Sequence, residues 1–466
     1  MNIARSTDAF WTLSRSSKRL LKSKNGVLRE FDVLRYASSR LKRNQINLHE
    51  MPGLYDAVII GGGTAGMNLA HRFKSALHDL GHAGDRRHVA LIDHSTFHYY
   101  QPIWTLVGAG AKKFESSFMN MQDLVPTNIY HIADRVNEID PANNSIRTAK
   151  KGWLFYKQLF VCTGMELDID RIKGLQQAFE TPFVVSNYSP ETVKKTWIAM
   201  QDIQKGNAIF TFPNSPVKCP GAPQKIMYLA DHYWRKQKRR NNINIQFNSA
   251  LAGIFSVQKY AKELNAICEK RNLTRNFRHD LIEIDPVSRA ATFENLDTHE
   301  KTIFNYDFMH VTPPQRPPSV LKPIADANGF VDVDPGTLQH KQYKNIWALG
   351  DCANLPTSKT AAAAAAQTKV VFYNAMNALN NFPLPYKYDG YTSCPLVTGY
   401  GKCILAEFDY KLEPKETFPI NQAKERLSMY ILKKNLMPWL YWFFHVKGKW
   451  SGPGLMRKIF RLGFSN

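Results

Sequence analysis

The sequence predicts an α/β protein built from two Rossmann-like domains and a helical C-terminal tail. Three stretches carry that expectation. Tyr55 to Gly66 reads YDAVIIGGGTAG, a strand that runs into glycines and then a helix. Gly206 to Phe212 (GNAIFTF) is a second apolar strand, with a helix expected over 224–235. Asn345 to Asp351 (NIWALGD) is a third, ahead of an alanine-rich helix from about 360 to 379. Strands alternating with helices argue for a parallel sheet covered on both faces.

Taken in order, Tyr55 to Ile60 is rich in β-branched and aromatic residues, as a strand buried on both faces should be. It enters Gly61-x-Gly63-Thr64-Ala65-Gly66, which is GxGxxG. Gly61 allows the tight turn, Gly63 lets phosphates approach the backbone, and Gly66 lets the following helix, 67–78, pack on the strand. The helix N-terminus adds free N–H groups and partial positive charge. A further strand, His88 to Asp93 (HVALID), ends in an acid 27 residues after Gly66, so Asp93 can accept from an adenosine ribose; the long spacing fits a longer loop around 81–87. Glycines, strand, helix and acid together read as dinucleotide binding. The alternative is an ordinary glycine turn in an α/β domain.

At 466 residues the chain is long enough for two or three domains. Its formal charge is +22. No zinc-ligand spacing, RNA-binding aromatic motif or basic zipper accompanies that charge, so no nucleic-acid partner is expected. Much of it sits at the two ends. Up to Arg43 there are seven Arg, four Lys and seven Ser but only three acids. That composition, without a long apolar run, predicts a mitochondrial presequence over about 1–50; a basic arm is the alternative.

The far end of the chain distinguishes cofactors through a resemblance. A strand ending in Gly350-Asp351, followed by Lys359, Thr360, Ala361 and the alanine helix, resembles two-dinucleotide-binding-domain flavoproteins of the glutathione-reductase type. Val161-Cys162-Thr163-Gly164 resembles the turn by which their chain leaves the FAD domain. The resemblance implies FAD, with Asp351 on its ribityl chain. It also sets Lys359 and the helix N-terminus where negative charge develops on reduction. Such proteins normally carry a second phosphate turn for a nicotinamide dinucleotide. Here the stretch between the strand 206–212 and the helix 224–235 is PNSPVKCPGAP, with Gly221 alone and prolines at 213, 216, 220 and 223. Proline removes N–H donors, so a nicotinamide dinucleotide is not expected there.

Six cysteines are present, with no CxxC, which excludes zinc ribbons and a local thioredoxin-type pair. Cys162, Cys268, Cys352 and Cys403 read as packed residues. Cys219 and Cys394 lie in Pro- and Gly-containing loops, 175 residues apart, and the spacing does not by itself establish that they pair.

Longer strings carry a more specific resemblance. YYQPIWTLVGAGAK, GNAIFTFPNSPVKCPGAPQKIMYL, HVTPPQRPP, LPTSKTAAAAAAQ and DGYTSCPLVTGYGKCILAEFDY resemble mitochondrial-type sulfide:quinone oxidoreductases over roughly the whole chain after Tyr55. Asp93 stands where many members have Glu, and an acid is retained. The resemblance implies that Cys219 and Cys394 are the redox pair. Hydrosulfide opens their disulfide, Cys394 becomes the persulfide, and Cys219 is released as a thiolate facing the flavin. Lys218 and Lys225 flank Cys219 in a setting that depresses thiol pKa. The resemblance also implies FAD contacts at Thr64, Ala65, Gln101 and Val136. Its substrates would be hydrogen sulfide, ubiquinone and a small sulfur acceptor such as glutathione or sulfite.

The tail changes character from Leu427. LMPWLYWFF (436–444) and RKIFRLGF (457–464) hold no apolar run of spanning length. Trp439, Trp442 and Trp450 among Lys433, Lys434, Lys447, Lys449, Arg457 and Lys458 read as a monotopic anchor on the inner-membrane surface, matrix side; a helix pair packed on the body is the alternative. Phe408 and Tyr410 are placed near the quinone route, and no quinone-contacting residue is assigned. Because the glycine cradle and both loop cysteines lie upstream, truncation after about Arg426 is expected to spare FAD. The expected organisation is 1–50 presequence, 51–175 and 311–385 FAD domain, 176–310 second Rossmann-like domain without a nucleotide fingerprint, and 386–466 redox-cysteine and membrane-anchor region. Competing functions are a monotopic NADH:quinone reductase, which predicts a second GxGxxG, and an FAD-binding redox sensor, which predicts missing reactive residues.

Overall fold

The computed structural model describes residues 53–79, 81–82 and 88–460. The presequence reading therefore lies outside the described residues, as does most of the 81–87 loop. Strand β1 (Leu54–Ile60) is central in the first sheet, in parallel register with Val89–Ile92 and Gly152–Val161. Its last four residues are buried, which is why they are Val, Ile and Ala without polar alternation. Ile346–Ala348 pairs parallel to Val161's strand, so a distant stretch of chain returns to the same sheet. Helix α1 (Thr64–Asp79) follows β1. It starts three residues before the expected boundary, because the glycine turn feeds the first helical turn directly: the Met67 amide donates to the Gly63 carbonyl, 2.9 Å.

The second sheet is parallel throughout. Strand β2 (Gly206–Phe212) lies between Phe308–His310 and Ile243–Ser249, with Val184–Val185 and Thr274–Phe277 at the edges. Helix α2 (Ala222–Lys236) begins at the end of the proline-rich loop. An antiparallel meander, His279–Asp285, Ala290–Asn295 and Lys301–Asn305, closes a smaller core with Ile209, Phe293 and Met309.

Helix α3 (Ala361–Ala378) is the alanine-rich helix. Thr360 caps it, its hydroxyl accepting from the Ala363 amide at 3.1 Å. Antiparallel strands β3 (Thr392–Gly399) and β4 (Lys402–Phe408) follow. Cys394 lies within β3, paired with Ala406, and not in a loop as expected; α2 packs on β3, and this packing brings the loop residue Cys219 to it. The tail is a broken helix over 427–445 with π-turns at Leu432–Leu436 and Tyr441–His445, then a short helix, Gly454–Phe460. Among the described residues no helix is long and apolar enough to cross a membrane.

Candidate active site

A cavity of about 710 Å3 lies where the Gly61 turn, the Asp351 turn, the Cys219 loop and the tail meet. It is large enough for a dinucleotide, within the roughly 300–1,000 Å3 of ligand pockets. Gly61, Gly63, Thr64, Ala65, Asp93, Gln101, Cys219, Asp351, Lys359, Thr360 and Ala361 all line it. Gly66, Val136 and Cys394 do not. Gly66 is a packing position: a Cβ there would run into the Gly61 carbonyl. Gly61 itself sits at φ 96°, and a Cβ would overlap the Cys162 backbone. Gly63 is different, since a Cβ there would meet nothing within 4 Å. Val136 is buried in a strand edge paired with Thr148.

The polar groups around this space fit a bound dinucleotide. Asp93 accepts from the amides of Gly62 (2.5 Å) and Ser95 (2.7 Å), which holds its carboxylate at the cavity wall. Asp351 has no hydrogen-bond partner among the described residues. Burial raises its carboxyl above the ordinary range, against the opposing pull of Lys359 and Lys218. The buried Asn187 amide, also on the wall, has neither its nitrogen nor its oxygen paired among the described residues. Such groups are costly unless something fills the cavity and bonds them. Lys359 donates to the Ala353 carbonyl at 2.9 Å, and Lys218 to Gln101 Oε1 at 3.0 Å.

The loop after β2 uses its amides internally. Asn214, Lys218 and Cys219 donate to Asp280, Gln315 and the Lys359 carbonyl. The turn that would cradle a second dinucleotide thus has these donors engaged. Cys219 adopts φ 54°, a left-handed conformation uncommon for a residue with a side chain. Its sulfur lies 3.4 Å from Cys394 Sγ and 3.3 Å from Lys225 Nζ. A Cβ on Gly221 would strike Cys394 Sγ, so only glycine admits this approach. The Cys394 hydrogen bond, then Lys225, hold the Cys219 thiol well below its ordinary range against burial. The same hydrogen bond and burial push Cys394 well above it. Burial disfavours the Lys225 charge, but the neighbouring sulfurs more than offset this and hold it above the ordinary lysine value. The pair is therefore polarised: a thiolate at the cavity wall, and a thiol behind it that is 1% exposed.

The tail departs from its expected arrangement. Lys433 is not at a surface. It is buried, donates to the Pro102 carbonyl at 2.9 Å, and is pushed down to about 8 by burial and by Lys225. Trp442 is buried, and Trp450 lines the cavity. Leu427, Ile431, Leu436, Trp439 and Phe443 form the exposed apolar face instead. Leu440, Tyr441 and His445 also line the cavity, so the tail is part of the site and is not separable from it as expected. Phe408 is core, Tyr410 donates to the Pro335 carbonyl, and neither lines the cavity. The sequence reading missed Asn187, His98, Lys433 as a buried cation, and Tyr441. No local motif marks them.

Residues 55–195 match the pyridine nucleotide-disulphide oxidoreductase family model. The chain is 48% identical over 414 residues to the mitochondrial sulfide:quinone oxidoreductase of Mus musculus, covering 88% of this chain and 90% of that one. It is 43% identical to the protein of the same name from Dictyostelium discoideum, covering 86% and 87%. The solved sulfide:quinone oxidoreductase of the bacterium Aquifex aeolicus, 19% identical, superposes with a TM-score of 0.73 over 88% of this chain and 96% of that one, which establishes the shared fold. On identity over nearly the full length of both relatives, the chain belongs to the mitochondrial sulfide:quinone oxidoreductase family.

Proposed function

We propose that this chain oxidises hydrogen sulfide in the mitochondrion and passes two electrons through FAD to ubiquinone, with Cys219 and Cys394 as its redox pair. The observation that carries this reading is the sulfur of Cys219, on the wall of a dinucleotide-sized cavity, 3.4 Å from Cys394 Sγ behind it and 3.3 Å from Lys225 Nζ. In this reading residues 51–175 and 311–385 hold FAD, and 176–310 is a Rossmann-like domain whose phosphate turn has become the Cys219 loop.

The chemistry of the pair follows from its asymmetry. In the oxidised pair, hydrosulfide attacks Cys394 Sγ, the S–S bond breaks, and Cys219 leaves as the thiolate. The thiol of lower pKa is the better leaving group, and Lys225 stabilises its charge. Cys394 then carries the persulfide. A thiol such as glutathione, or sulfite, attacks the outer sulfur and leaves Cys394 as a thiolate. The two sulfurs rejoin as a disulfide when an electron pair departs. Bound FAD supplies the two-electron acceptor for that step and the link to ubiquinone. Gly61, Gly63, Thr64 and Ala65 would hold its pyrophosphate, Asp93 its ribose, and Asp351 its ribityl chain. Asp351→Ala is expected to weaken FAD by about 1–3 kcal/mol, the cost of leaving a buried hydroxyl unpaired; unchanged FAD affinity by equilibrium ultrafiltration would refute the ribityl assignment.

The exposed tail face supports a monotopic contact with the inner-membrane surface, where a lipid-soluble quinone resides. Leu436, Trp439 and Phe443 are 45%, 49% and 60% exposed on adjoining turns beside Lys434. Anaerobic mixing with sulfide, and separately with NADH, tests the whole reading. Sulfide, with sulfite present as the sulfur acceptor, should bleach the flavin absorbance. Bleaching by NADH alone would instead favour an NADH:quinone reductase.

A further inference from the structure

The same two turns of the tail that expose Trp439 and Phe443 reach into the glycine cradle. The bonds have a fixed direction. The Gly62 carbonyl only accepts, so His98 Nδ1–H donates to it at 2.8 Å. Burial keeps His98 neutral by lowering its pKa, which leaves Nε2 an acceptor. The Tyr441 hydroxyl therefore donates to His98 Nε2 at 2.7 Å and accepts from Thr64 Oγ1 at 3.0 Å. Thr64 opens α1, and Gly62 sits inside GxGxxG. The amide of Gly62 in turn donates to Asp93. One tail hydroxyl thus joins both ends of the turn that would hold a pyrophosphate to the acid that would hold a ribose.

The grip continues down the same helix. His445 is neutral, its pKa pushed down to about 3 by burial, and its Nε2–H donates to the Thr64 carbonyl at 3.3 Å. Asn68 Nδ2 donates to the His445 carbonyl at 2.6 Å, and Arg72 Nη2 to Ser451 Oγ at 2.5 Å. Residues 441–451 are fastened along two turns of α1. A π-turn at Tyr441–His445 aims Tyr441 and His445 inward while Phe443 faces out. Single-turn π segments are frequent where a helix serves a site.

We propose that Tyr441 is a positioning residue that latches the membrane-facing tail onto the FAD cradle, so that FAD binding and tail docking stabilise each other. The proposal rests on the FAD reading of the cavity. Coupling between two binding events is reciprocal: FAD should protect the tail, and loss of the latch should release FAD. Tyr441→Phe, which keeps the ring, separates the contribution of the hydroxyl from that of tail packing against the cavity.

The test uses the full-length chain. Tyr441→Phe keeps the ring and removes the hydroxyl, which leaves His98 Nε2 and the Thr64 hydroxyl without that partner. FAD affinity, measured by ultrafiltration, should fall roughly tenfold, the loss of about one buried hydrogen bond. In the wild type, amide exchange of residues 441–451 should slow when FAD is added to apoprotein. In Tyr441→Phe that FAD-dependent slowing should shrink. Phe443→Ser, on the outer face, should lose liposome flotation yet keep wild-type FAD affinity. Wild-type FAD affinity in Tyr441→Phe, or tail exchange in the wild type that is indifferent to FAD, overturns the latch. The exchange experiment needs no variant, so a tail indifferent to FAD overturns the latch even if Tyr441→Phe misfolds. Asp351→Ala separates the two readings. If it weakens FAD while Tyr441→Phe does not, the cavity is the FAD site and the latch is wrong; if neither does, both fall.

Discussion

Serine at either Cys219 or Cys394 is expected to abolish sulfide-dependent flavin reduction while leaving FAD bound. The two sulfurs are 3.4 Å apart and act on one bond. Without Cys394 there is no sulfur to carry the persulfide. Without Cys219 there is no thiolate to leave or to rejoin. Groups that act as a unit are non-additive, so the double variant should be no worse than either single one. Cys268→Ser is the control. Its sulfur is buried in the helix Gln258–Arg271, beside the Tyr228 hydroxyl at 3.5 Å, and does not line the cavity. It should reduce its flavin at close to the normal rate. The measurement is anaerobic single-turnover absorbance after mixing with sulfide and sulfite, the sulfur acceptor. A Cys394→Ser protein that bleaches at the wild-type rate would remove the pair from the mechanism.

The parts of this architecture that were legible in the sequence are those set by local chemistry. Gly61 and Gly66 announce the turn because no side chain fits there. Thr360 ahead of six alanines announces a capped, closely packed helix. The prolines around Cys219 announce a stiff loop poor in N–H donors, and the amides at Asn214, Lys218 and Cys219 are engaged by protein acceptors. The approach of Cys219 to Cys394 was different. It arises from α2 packing on β3 across 175 residues, and no periodicity encodes that contact; only resemblance pointed to it. The tail was misread for a specific physical reason. Two π-turns within 427–445 add residues to the helical repeat and rotate the faces. A 3.6-residue reading therefore could not tell that Lys433 and Trp442 turn inward while Phe443 turns outward and Trp439 stands half-exposed at the cavity. Aromatics flanked by cations indicated an interface, but not which side of the helix would form it.

Lys225→Met should shift the chemistry along the pH axis in a direction the geometry fixes. Cys219 is held below the ordinary thiol range first by the Cys394 hydrogen bond and then by the Lys225 charge, 3.3 Å from its sulfur. A lowered pKa means that the thiolate persists as pH falls and is lost only below that depressed value. Methionine keeps much of the side-chain length and removes the charge, so the Cys219 pKa should rise toward the ordinary value of about 8.5. The loss of thiolate then begins at higher pH. At any pH below both values, each unit of rise lowers the thiolate fraction roughly tenfold. Cys219 should also become a poorer leaving group in the sulfide step. In the reduced protein, the pH dependence of alkylation at Cys219, read by mass spectrometry, should move its midpoint upward. The rate of flavin reduction by sulfide at neutral pH should fall by at least tenfold, with FAD content unchanged. Lys225→Arg, which keeps a cation, should shift the midpoint less than Lys225→Met. An alkylation midpoint that stays where it is in Lys225→Met would mean that Cys394 alone holds the Cys219 charge and that the lysine serves only to pack α2 against the loop.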